Sequence, residues 1–155
     1  MGLLEKIEQY TNRGTDKVSN KTAYSKFIDL GFPSLKNEEW KYTSLKKIIA
    51  NNFEIENQGE EITDQEIKNN SLDLDNKVVF LNGELYQKPT ISGVKIEKNI
   101  DHSPKYNDAI TALNAALAEN GYNITVSENT IVDKPLEILF LTKNKSENLA
   151  QYRNE

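Results

Sequence analysis

Asn82-Gly83 stands between the apolar run Val78-Val79-Phe80-Leu81 and the segment Glu84-Leu85-Tyr86. A two-residue link of this kind leaves little choice but a β-hairpin, because Asn-Gly supplies the two positive φ angles of a type I′ turn. The turn also marks a change of regime. Ahead of it, apolar residues recur at helical spacing. Behind it, one helix intervenes and the period then falls to two.

The helical part is read from that spacing. Leu3, Leu4, Ile7 and Tyr10 make one apolar face, ending near Gly14. A second helix is expected over 20–30, with Tyr24, Phe27, Ile28 and Leu30 as its stripe. Gly31 is its stop signal, and Pro33 prevents resumption. Thr43 or Ser44 can cap a third helix that turns Leu45, Ile48 and Ile49 inward. Residues 54–76 are rich in Glu, Asn, Gln and Asp. They read as a loop with a short helix capped by Thr63 or Asp64 and carrying Ile67.

After the hairpin, Ile91, Val94 and Ile96 suggest a short strand. Ser103-Pro104 is expected to open a long, Ala-rich helix that buries Tyr106, Ile110, Leu113 and Leu117 and stops at Gly121. Tyr122, Ile124 and Val126 alternate as a strand does. A turn at Glu128-Asn129 leads to Ile131 and Val132. Pro135 then introduces Leu136 to Leu141, a strand buried on at least one face. Leu149 to Tyr152 reads as the opening of one more strand.

Composition narrows the function. The chain of 155 residues has 24 acidic and 19 basic residues, a net charge of −5, one His and no Cys. Acidic, interspersed charge argues against nucleic acid and membrane surfaces as partners. Without Cys there is no thiolate nucleophile or thiolate metal site. A lone His102 before a helix reads as a loop residue rather than a triad member. Neither a P-loop nor a dinucleotide fingerprint occurs. No apolar run suits a signal peptide or membrane span, which gives a cytoplasmic reading.

The densest segment is Gly31-Phe32-Pro33-Ser34-Leu35-Lys36-Asn37-Glu38-Glu39-Trp40-Lys41-Tyr42-Thr43, which holds the only Trp. Glu38 and Glu39 beside the indole could serve as an acid–base pair, or sit on a solvated turn between Lys36 and Lys41. Phe32, Trp40 and Tyr42 could line a pocket, or staple the Pro33 segment onto neighbouring helices. The staple reading expects Trp40 to be largely buried.

This segment resembles the signature near the N-terminus of the SufB/SufD family of iron–sulfur cluster assembly proteins, on its SufD side. The resemblance lies in Gly31-Phe32-Pro33, Lys36, Glu38-Glu39 and Trp40-Lys41-Tyr42-Thr43. Leu35 departs from it, standing where the family often has Arg. Phe80-Leu81-Asn82-Gly83 resembles the family's hairpin. Ala112 to Ala116, Gly121 and Pro135-Leu136 resemble the approach to its β-helix. The resemblance implies a non-enzymatic scaffold subunit that works with SufB and the ATPase SufC, with no cofactor held by this chain. It also implies that the chain is an N-terminal portion, ending as a right-handed β-helix begins. Residues for the SufB interface, for SufC docking and for the cluster would then lie elsewhere.

The expected architecture is α+β: N-terminal helices with a polar linker over 1–76, a hairpin plus a long helix over 77–121, and the first β-helix strands over 122–155. The open C-terminal strands are expected to pair with a second copy or to be loosely protected. The rival reading is a free-standing module that binds a peptide or small ligand through Phe32 to Tyr42. A third is a small hydrolase using Glu38 or Glu39.

Overall fold

A computed structural model describes residues 2–14, 18–51, 53–55, 59–72, 74–98, 108–144 and 147–149. The first helices are α1 (Leu3–Gly14) and α2 (Val18–Leu30). A 3-10 turn at Glu38–Trp40 and the short α3 (Lys46–Ala50) follow. Then come α4 (Asp64–Asn69), β1 (Asn76–Leu81), β2 (Glu84–Gln87) and β3 (Val94–Lys98). The last elements are α5 (Ala109–Leu117), β4 (Tyr122–Val126) and β5 (Leu136–Leu141).

Helices α1, α2 and α5 share one core of Leu3, Ile7, Phe27, Ala112, Leu113 and Leu117. Phe53, Ile55 and Leu149 close it from the side. Ala23 meets Ala115 and Ala116, and such small residues let α2 and α5 approach closely. The amide of buried Asn20 donates to the carbonyls of Ala116 at 3.2 Å and Ala118 at 3.3 Å. It thus satisfies orphan acceptors at the C-terminus of α5. The buried stripe of α2 is therefore Asn20, Ala23 and Phe27, whereas Ile28 and Leu30 are exposed. Residues 20, 23 and 27 fall on one face at 3.6 residues per turn, and Ile28 lies a further 100° round.

The strands form two small sheets. One has the order β2-β1-β5 and the other pairs β3 with β4. The hairpin forms as expected: Asn82 has φ +52° and Gly83 has φ +91°. β1 and β5 pair in parallel, with Val79 beside Leu139 and Phe80 beside Phe140. Val78 and Phe80 on one face of β1 pack with Ile96 and Tyr122 of the second sheet. On the other face, Val79 packs with Ile62 and with Ile67 of α4.

Three expectations need correction. A right-handed β-helix is not shown; the sheets are small and unclosed. The long helix is shorter than expected. Its start at Ser103-Pro104 lies outside the described residues, but Asp108 is extended at φ −143° and caps α5, so the helix begins at Ala109. The Asp108 carboxylate accepts from the amides of Ile110 and Thr111, which is the geometry of an N-cap. Finally, the N-cap position of α3 is Leu45 rather than Thr43 or Ser44, the Ser44 hydroxyl accepting from the Lys46 amide at 3.4 Å, and the helix buries no residue. The capped α4 does match: Thr63 and Glu66 form a reciprocal capping box.

Candidate functional site

Gly31 adopts φ +63°, the left-handed conformation that ends a helix, and its amide returns to the Phe27 carbonyl at 2.8 Å. That reversal lays Phe32 edge-on against Phe27, with ring centroids 5.0 Å apart. Phe32 joins the helical core as the staple reading expects. From Ser34 onward the segment holds itself together. The Asn37 side-chain oxygen accepts from the Ser34 amide at 2.9 Å, and the Asn37 amide donates back to the Ser34 carbonyl. Trp40 and Thr43 continue the chain of local bonds, to the carbonyls of Asn37 and Trp40, each at 2.9 Å.

The aromatic segment thereby becomes a ledge rather than a core. The 3-10 turn contributes no buried residue. Trp40 is partly buried, short of the full burial of Phe27. It does not join the helical cluster that Phe32 joins. Tyr42 is 91% exposed and Leu35 50%; Ile48 of α3 is also exposed. Lys41 stands 5.6 Å from the centre of the Tyr42 ring, within cation–π range. Lys36, Glu38, Glu39 and Thr43 all face solvent. A side chain as exposed as Tyr42 lines no pocket, and Glu38 and Glu39 are exposed on the turn. Leu35, Tyr42 and Ile48 are thus exposed side chains among charged neighbours of both signs.

Asn82 and Gly83 lie elsewhere, at the tip of the hairpin, and do not meet the ledge. Asn82 does more than permit a turn. It is 8% exposed, and its side chain spans the gap to the chain leaving β5. Its Nδ2 donates to the Lys143 carbonyl at 2.9 Å, and its Oδ1 accepts from the Lys143 amide at 2.8 Å. The side chain thus extends the β1–β5 pairing by one step. Lys143 itself bonds the Glu66 carboxylate at 2.8 Å and the Glu61 carbonyl at 3.0 Å. Lys143 and then the Thr63 cap pull the Glu66 carboxyl down to about 2. No feature of Lys143 in the sequence announces this role; it follows from the parallel register.

A second unannounced group is Glu137, buried in β5. It accepts from the Leu72 amide at 2.8 Å and the Ser71 hydroxyl at 2.9 Å, with Lys77 at 3.8 Å. Burial alone would raise its pKa; these donors outweigh it and hold the carboxyl below its usual value. The opposite face of β5 presents Ile138 (44% exposed) and Phe140 (48%), the latter stacked on Phe80 at 5.2 Å.

Among the described residues, no three His, Cys, Asp or Glu side chains gather to hold a metal ion, and no helix is long and apolar enough to cross a membrane. An open hollow along α2 is lined by Lys21, Thr22, Ser25, Lys26 and Asp29, all from one helix. No curated protein matches the chain. Residues 4–101, more than half of it, match the family model of the SufBD protein N-terminal region.

Proposed function

The chain belongs to the SufB/SufD family of iron–sulfur cluster assembly proteins, and we propose that it is the N-terminal region of a SufD-like scaffold subunit acting with SufB and the ATPase SufC. The family match, which spans both the Gly31–Thr43 segment and the hairpin, supports the cluster-assembly role, and the SufD-like assignment rests on the resemblance of Gly31–Thr43. The chain's role is structural and not catalytic, and the cluster is cargo of the assembly. Protein-bound clusters are usually held by Cys thiolates, sometimes with His; this chain has no Cys and one His. It therefore holds no cluster itself.

Within that role, the ledge from Leu35 to Ile48 is a contact surface for SufB or SufC, in addition to the interfaces that the resemblance puts elsewhere. Tyr and Trp carry much of the energy at protein interfaces when a partner dries them. Here Tyr42 is left open by the fold of its own chain. The site of action is proposed to be the cytoplasm.

Co-expression of the protein bearing this chain with SufB and SufC tests the reading. A tag on this protein should bring both subunits through affinity purification and gel filtration as one species. Elution of this protein alone, at every salt concentration tried, would contradict it.

A further inference from the structure

We propose that Asn82 is a deamidation site whose reactivity is gated by the clamp between the β1–β2 turn and the chain leaving β5. Asn followed by Gly is the pair in which main-chain attack on the side-chain amide is least hindered, because residue 83 has no Cβ to obstruct it. The Gly83 nitrogen gives its proton to hydroxide and bonds to Cγ of Asn82. The Cγ–Nδ2 bond breaks, and the nitrogen leaves as ammonia after taking a proton from water. Water then opens the resulting five-membered imide to aspartate or isoaspartate. The balance needs only water and hydroxide.

The folded structure opposes the first step. Both polar atoms of the side chain are committed to Lys143, at 2.9 and 2.8 Å, and the residue is buried. The Asn82 amide is also tied, to the Leu141 carbonyl at 2.9 Å. Cγ cannot turn toward the following nitrogen until the bonds to Lys143 break. Breaking them parts the hairpin tip from the end of β5, so the chemistry waits for a local opening.

The product does not restore the clamp. A carboxylate at residue 82 has no hydrogen to offer the Lys143 carbonyl and places negative charge against it. Isoaspartate also lengthens the main chain inside a two-residue turn. Deamidation therefore converts a transient opening into a permanent one.

The test is to age the protein at mildly alkaline pH, folded and in denaturing urea, and to follow residue 82 by peptide mass mapping. The amide-to-acid mass gain should appear at least about tenfold more slowly in the folded protein, since each conversion must await an opening. A folded rate within about tenfold of the denatured one overturns the gate.

Discussion

Trp40 and Phe27 show how differently two aromatic residues of neighbouring segments are used. Phe27 is fully buried between α1, α2 and α5, while Trp40 stands half-buried on a turn that buries nothing. Phe27→Ala should cost about 3–5 kcal/mol through lost burial and the cavity left behind. Trp40→Ala should cost less than that, because Trp40 lies outside the cluster that Phe27 fills. Urea denaturation of the two variants reads the difference, and equal losses would return Trp40 to the core. The sequence composition around Trp40 suggested a staple because large aromatics usually carry a thin core. Phe32, eight residues earlier, takes that role instead, and the local bonding of Ser34 and Asn37 then carries the chain away from the core.

At the level of elements, the two signals with strong local chemistry were legible in advance. The Asn82-Gly83 turn and the Thr63 cap need only their own neighbours, and both formed as expected. Elements whose limits depend on distant partners were not. The burial of Glu137 depends on donors more than sixty residues away, whereas α5 starts at its local Asp108 cap, a signal passed over in favour of Ser103-Pro104. Ile131 is exposed and lies between β4 and β5. β5 pairs with β1 along one edge, and among the described residues no strand pairs with its other edge. Its amides should therefore exchange with solvent faster than those of α5, which is packed against α2 and tied by Asn20. Hydrogen exchange resolved by residue checks the order. Equal protection of Leu136–Leu141 and Ala109–Leu117 would contradict it.

On the scale of the whole molecule, acid should loosen several joints together. Glu66, Asp75, Asp108 and Glu137 all have carboxyls held below their usual values. Lys143 is the main cause for Glu66, Lys134 for Asp75 and the Thr111 hydroxyl for Asp108. A lowered folded-state pKa means that the unfolded chain takes up protons first. The stability these groups contribute is thus complete above the ordinary carboxyl range of about 4 and is lost as pH falls below it. For Glu66 the loss continues down to about 2. Thermal melts between neutral pH and pH of about 3 should show a monotonic fall in Tm, steepening below about 4. A flat profile there would mean that the links of α4 and β5 to their loops contribute nothing. The fold leaves the ledge open, and the scaffold role assigns it to assembly. Hydroxyl-radical footprinting of Leu35, Trp40 and Tyr42, in the protein alone and in its complex with SufB and SufC, tests it most directly. Oxidation of Tyr42 should fall sharply on assembly while that of exposed Tyr86 on the hairpin stays the same. Unchanged oxidation of all three ledge residues in a complex that has formed would contradict the account.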